Sequence, residues 1–331
     1  MKRKTATRMT RIAAFLLAAG IAGQAVAQTG YGGGGSGLPR VELPDEPWIM
    51  NTHLIPEVKV SVVVRGINRP WSLAFLPKGD MLVTERGGDL RLVRDGVLVD
   101  EPIAGVPDDV LARHAKLAQD PNSHAGKTLR LRLDGSVPDD NPFVGKEGHK
   151  PEIYSMGHRN QMGLALHPET NQPWTTEHAP QGGDELNAIE AGKNYGWPVV
   201  SYGRHYNGVR ISERFWAEGM EEPAIFWLPS IAPSGLAFYT GDAFPQWKGN
   251  LFAGALMTGR MPNTGHLERL IFSPKGEELG REWLLKEIGK RIRDVRQGPD
   301  DFIYVITDER DGAVIRLEPA EKAEEAEAAV G

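Results

Sequence analysis

A β-propeller, an all-β fold, is what the sequence predicts, and three observations carry the prediction. A unit of apolar segment, turn and second strand ending in Thr plus an acid recurs along the chain. Gly 39 and Pro 24 supply many turns, and zero cysteines leave no disulfide to staple a smaller fold. The repeating region, residues 46–319, exceeds the usual size of one β-sandwich, the competing reading.

In chain order the unit first reads LAFLPKGDMLVTERGGDLRLV (73–93), with Thr84-Glu85, and then, more loosely, LALHPETNQPWTTEH (164–178), with Thr176-Glu177. A still looser copy is LAFYTGDAFPQWKGNLFAGAL (236–256), and VRQGPDDFIYVITDERDGAVIRL (295–317) closes the series with Thr307-Asp308. Short strands between Gly, Asp and Pro turns, repeated every few tens of residues, describe small sheets that bury their faces only against their neighbours. At about 45 residues per blade the region would hold six blades. Strand cores can be located for only four or five. TLRLRLDG (128–135) alternates clearly, as the outer half of a blade would, yet residues 100–126 show no alternation that could give it inner partners.

The ends are of other kinds. A basic stretch to Arg11, an apolar run over 12–23 and Ala25-Val26-Ala27 before Gln28 make residues 1–27 a secretory signal. A membrane anchor would need roughly 20 apolar residues. No other stretch could span a bilayer, so no membrane insertion is expected after signal cleavage. Residues 28–45 form a Gly-rich linker and residues 320–331 an acidic tail. Formal charge is −6, and the leader carries five basic side chains and no acid, leaving −11 on the remainder. That balance argues against nucleic acid as a partner, and the lack of cysteine removes zinc ribbons, thiol catalysis and iron–sulfur ligation.

Four polar segments fall where blade-connecting loops would lie. In GHRNQMG (157–163), Arg159 offers a planar charged fork for a carboxylate or phosphate and Asn160 an amide; a solvated surface loop is the plainer reading. In EHAPQGGDELN (177–187), Glu177, His178, Asp184 and Glu185 flank an irregular turn of the oxygen-rich kind a hard cation such as calcium needs, although these acids could equally be exposed loop charges. GKNYGWP (192–198) sets Tyr195 and Trp197 beside glycines, for stacking on a ligand or for packing between blades. In GKRIRDV (289–295), Arg291 and Arg293 point to one face and repel unless an anion lies between them; a solvated edge strand is the alternative. Together Arg159, Arg291 and Arg293 would suit a small polycarboxylate in a propeller mouth.

With RPWSLAFLPKGDMLVTERGGDLRLV (69–93), HAGKTLRLRLDGSVPDDNPF (124–143) and PSIAPSGLAFYTGD (229–242), these segments resemble the soluble sugar dehydrogenases that depend on pyrroloquinoline quinone (PQQ), in particular the periplasmic aldose sugar dehydrogenase branch. The resemblance runs from about Asn68 to Pro319 apart from one gap. It implies a six-bladed propeller, incomplete here, that oxidises aldose sugars to lactones with PQQ and Ca2+ and passes the electrons to an external acceptor. It further implies that Arg159, Asn160, His178, Arg291 and Arg293 contact the quinone, that the carbonyls of Ala179 and Pro180 bind calcium, and that Asp184 is a supporting acid nearby.

The departures are as specific. The family carries close to a hundred further residues between the segments matching 105–110 and 115–121, including its general-base histidine and the inner strands that TLRLRLDG lacks. Neither His114 nor His124 sits in that base motif, so the catalytic base is unknown. Gln161-Met162 replaces the usual Pro-Gln, and Met257 aligns with a cofactor lysine. A catalytically inactive or truncated propeller with a binding or structural role is therefore the alternative function.

Overall fold

The computed structural model describes residues 14–17, 40–76, 79–87, 89–102, 115–132 and 134–320. Among them every extended element is a strand, and the only helical turns are two short 3-10 segments, Ala115–Gln119 and Pro245–Trp247. Four antiparallel sheets form full blades. The first blade runs Pro70–Phe75, Met81–Glu85, Leu90–Arg94, Val97–Leu98, and the second Gln161–Leu166, Pro173–Glu177, Asp184–Ala188, Ile225–Trp227. The third runs Pro233–Phe238, Leu251–Ala255, His266–Phe272, Glu278–Leu284. In the fourth, Ile292–Gln297, Ile303–Thr307 and Gly312–Pro319 are joined by two strands from the other end of the described chain, Val58–Ile67 and Trp48–Met50. Both ends of the propeller thus share one sheet.

The four repeat units of the sequence are the inner strands of these four blades. Their apolar runs are continuous because the sheets are covered on both faces. In Ile303–Thr307 all five residues are buried. Ile303 and Val305 pack toward the third blade with Phe252, Leu267 and Leu284, whereas Tyr304 and Ile306 pack toward the first with Leu73, Met81 and Val83. A third cluster, around Trp174, Leu186, Leu236 and Leu251, joins the second and third blades.

Hydrogen bonds between inner strands reinforce this packing. Thr176 Oγ1 donates to the Ser234 carbonyl at 2.7 Å, Ser234 Oγ to the Ile292 carbonyl at 2.6 Å, and Ser72 Oγ to Asp294 Oδ2 at 2.9 Å. Space between blades is correspondingly tight. A Cβ on Gly254 would lie 2.4 Å from Ser234 Oγ.

The fifth sheet is the incomplete one. TLRLRLDG does form a strand, Lys127–Leu131, paired outward with Ile153–Met156; its small core is Leu129, Phe143 and Ile153. Its inner side pairs with Ala14–Leu17, a strand from within the region read as a leader. Gln161 Nε2 ties this half-blade to the second blade through Thr128 Oγ1 at 2.9 Å. No strand pairing among the described residues joins it to the first blade. On that side Thr84, placed like Thr176 in its own Thr-Glu pair, keeps a buried hydroxyl with no hydrogen-bond partner among the described residues. Among the described residues the expected six blades are four and a half-blade, and residues 103–114, where the family's extra stretch would begin, lie outside them.

Candidate active site

Three of the expected residues, Arg159, Asn160 and His178, meet at the start of the second blade. Strand Gln161–Leu166 begins just after Arg159-Asn160 and pairs with the strand that ends at Glu177, so the two loops leave the sheet together. The backbone N–H of His178 donates to the Asn160 carbonyl at 3.0 Å, and Arg159 Nη1 donates to the His178 carbonyl at 2.6 Å. The Arg159 guanidinium lies 5.4 Å from the centroid of the Trp197 ring. It is half-buried rather than a solvated loop charge.

Beneath it runs a buried relay that sequence reasoning missed. Ser155 Oγ is 2.9 Å from His158 Nε2, and His158 Nδ1 is 3.1 Å from Glu177 Oε2. Glu177 Oε1 faces the backbone N–H of Arg159 at 3.5 Å. Burial, and then the nearby Lys127 charge, depress the pKa of His158 to about 3, so the ring is neutral. Burial raises Glu177 to about 7 and also raises Glu185, its cross-strand partner. Lys127 is itself fully buried and donates to the carbonyls of Leu117, Ala118 and Ala125 at 2.8 to 2.9 Å. Only a three-residue spacing, Ser155 to His158, could have hinted at this relay.

His178 Nε2 lies 2.6 Å from the Pro233 carbonyl, which makes it the N–H donor. Burial and then the Arg293 and Arg159 charges lower its pKa to about 3. His178 is therefore neutral, and both arginines belong to its surroundings. Arg291 and Arg293 come from the start of the fourth blade and do share a face: Arg291 Nη2 and Arg293 Nη2 reach the same Asp308 Oδ2 at 3.0 and 2.8 Å. The anion between them that the sequence demanded is in part this carboxylate. It does not saturate them, for Arg293 is 5% exposed and its Nε and Nη1 have no hydrogen-bond partner. Trp71 lies under its guanidinium, 4.0 Å away.

The loop after His178 is irregular and tightly folded. Asp184 Oδ1 accepts the N–H of Ala179 at 2.8 Å, and Oδ2 accepts the N–H of Ala232 at 2.8 Å and the Ser230 hydroxyl. Asp184 thus shapes the turn that carries Ala179 and Pro180, and burial raises its pKa. Gly183, at φ +73°, approaches Gly203 so closely that a Cβ would lie 2.6 Å from its nitrogen. No group of three or more acidic or histidine side chains that could hold a metal occurs among the described residues, so a cation here would rest on backbone oxygens. Tyr195 and Trp197 are buried, Tyr195 stacking on His158 at 4.7 Å, which supports packing over ligand stacking. His124 Nε2 is 2.5 Å from Glu152 Oε1, and His114 lies outside the described residues.

His178, neutral and close to the Arg293 and Arg159 charges, sits beside the turn that carries Ala179 and Pro180. The family model for "Glucose / Sorbosone dehydrogenase" matches residues 67–116 and 112–316. The chain belongs to the glucose/sorbosone dehydrogenase family. Its two matched pieces meet where the sequence shows its gap. Aldose sugar dehydrogenase YliI of Escherichia coli is 32% identical over 79% of this chain and 93% of its own length. That alignment runs over 353 positions, although 79% of 331 residues is about 261, so about ninety positions of the relative face no residue here. The crystal structure of the soluble aldose sugar dehydrogenase from Escherichia coli in the apo-form matches 80% of this chain and all of its own, with a TM-score of 0.72 and 32% identity. Quinoprotein glucose dehydrogenase B of Acinetobacter calcoaceticus is 48% identical over 84 residues, 25% of this chain and 17% of its own. Among the described residues no helix is long and apolar enough to cross a membrane.

Proposed function

We propose that this member of the sugar dehydrogenase family holds PQQ and calcium and oxidises an aldose at its anomeric carbon to the lactone. The observation that carries the reading is the pair of buried, unpartnered nitrogens on Arg293, which call for an anionic ligand. When bound, the quinone would supply a two-electron acceptor and calcium a Lewis acid.

The chain's own residues divide the rest of the work. Arg291 and Arg293, with one shared carboxylate for two charges, retain net positive charge for the quinone's carboxylates, and Arg159 with Asn160 adds a third polar contact. His178, neutral and fixed by its bond to the Pro233 carbonyl, packs beside them without adding charge. Ala179 and Pro180 would offer calcium their carbonyls, with Asp184 holding the turn from behind. Removal of the sugar hydroxyl proton has no assigned residue: His178 donates its Nε2 proton to the Pro233 carbonyl, and burial and the Arg293 charge make its remaining nitrogen a weak base. Loss of a general base costs about 100- to 10,000-fold in rate.

The second reading, a propeller that binds the quinone but turns over little or no sugar, is favoured by that missing base and by Met257, which cannot pair with a carboxylate. In either case residues 1–27 would export the chain to the periplasm, and the electrons would leave through an external acceptor. The test is dye reduction by the purified mature chain with PQQ, calcium and a panel of aldoses. Sugar-dependent reduction establishes the dehydrogenase; quinone binding without it establishes the inactive form.

A further inference from the structure

The long connection over residues 189–224, between the two outer strands of the second blade, leaves a set of aromatic rings in solvent. Trp216 is 62% exposed, Tyr206 60% and Phe215 49%. Phe215 is held in place. Phe215 stacks on Tyr202 at 5.8 Å, Tyr202 stacks on Phe226 at 4.3 Å, and the Arg210 guanidinium lies 5.6 Å from the Phe215 ring.

This ledge is continuous with the candidate active site. Gln181, next to Pro180 on the proposed calcium turn, bridges to Arg204, and Arg204 bridges to Arg210. Two such rungs span about 10 Å, more than one sugar ring. Tyr206, at the tip of the hairpin so formed, lies within electrostatic reach of the Arg159 side chain and beside the Arg260 guanidinium at 5.7 Å. Exposed ring faces interleaved with guanidinium donors match a pyranose, which has apolar C–H faces and a rim of hydroxyls. An apolar protein partner would leave the interleaved arginines to be desolvated.

We infer that Phe215, Trp216 and the 204–210 hairpin form a second saccharide subsite, which takes the ring next to the one being oxidised and so favours reducing oligosaccharides over monosaccharides. The inference rests on the sugar dehydrogenase reading. Isothermal titration of the mature chain, loaded with PQQ and calcium, with glucose, maltose and maltotriose reads it directly. Affinity should rise at least five-fold from one ring to two, and Trp216→Ala, outside the Tyr202 stack, should abolish the rise without changing quinone affinity. Phe215→Ala should act likewise. Equal affinity for all three sugars, or a rise that survives both substitutions, overturns the subsite. A ring-number effect without quinone binding sinks the dehydrogenase reading and with it the placement of this subsite beside an oxidised ring, whereas quinone binding with ring-independent affinity sinks the subsite alone.

Discussion

The Thr176 hydroxyl donates to the carbonyl of Ser234 at 2.7 Å, and with this bond the second blade grips the inner strand of the third. The same hydroxyl accepts the N–H of Gly163 at 2.9 Å. Thr84 occupies the equivalent place in the first blade, and its hydroxyl is buried with no partner among the described residues. A bonded buried hydroxyl and an orphaned one respond oppositely to removal. Thr176→Val should destabilise the chain by about 1 to 3 kcal/mol, and Thr84→Val should be neutral or stabilising. Urea unfolding of the two variants measures both, and equal losses would contradict the assignment of Thr84 to an unmatched blade face.

Blade spacing sets a second expectation. A methyl group on Gly254 would meet Ser234 Oγ at 2.4 Å and the Ile292 carbonyl at 2.9 Å, both part of the inter-blade hydrogen bonding. Gly254→Ala should therefore cost about 1 to 3 kcal/mol by overpacking. Thermal melts give the loss, and an unchanged midpoint would show that the third and fourth blades are not closely packed there.

The buried relay makes stability depend on pH. His158 has a folded pKa of about 3 against an unfolded value near 6.5, so between those values the unfolded chain binds the extra proton. Its contribution is fully present above pH 6.5 and is lost as pH falls toward 3. His158→Gln gives up the bonds to Ser155 and Glu177 but also this titration. It should be less stable than the parent at pH 7, with the gap narrowing steadily toward pH 4. A gap independent of pH, followed by denaturant melts, would mean that His158 is protonated in the folded chain.

Removing Arg293 bears on the ligand rather than on the fold. Asp308 would keep Arg291 as partner at 3.0 Å, so Arg293→Gln should fold. Charge-assisted hydrogen bonds contribute roughly 1.5 to 3 kcal/mol, so quinone affinity should fall about 10- to 100-fold. Absorbance titration of the bound quinone measures it, and an unchanged affinity would remove Arg293 from the site.

Much of the fold could be read from the chain because propeller strands announce themselves twice, by apolar runs and by the turns between them. The Thr-acid pairs at Thr84, Thr176 and Thr307 marked the second strand of three blades, and 128–135 was legible as a strand but not as a paired one: its inner side pairs with Ala14–Leu17, far away in sequence. That Arg291 and Arg293 share a face and need a compensating charge was legible, since they alternate on one strand. What could not be read was the identity of that compensation. Asp308 lies fifteen or more residues from Arg291 and Arg293, and only strand pairing brings it to them. The relay of Ser155, His158 and Glu177 was hidden for the same reason, and so was the burial of Lys127 at the start of its strand. Arg204 and Gln181 meet through an isolated bridge with no periodic signal, which is why the aromatic ledge was invisible before the fold was known.

A quinone and calcium are proposed to bind together between Arg159, Arg291, Arg293 and the Ala179-Pro180 turn. Titration of the purified mature chain with PQQ, with and without calcium, tests this most directly. Saturable binding of one quinone per chain, weakened by a calcium chelator and by Arg293→Gln, is the predicted result; no saturable binding at any calcium concentration would contradict it.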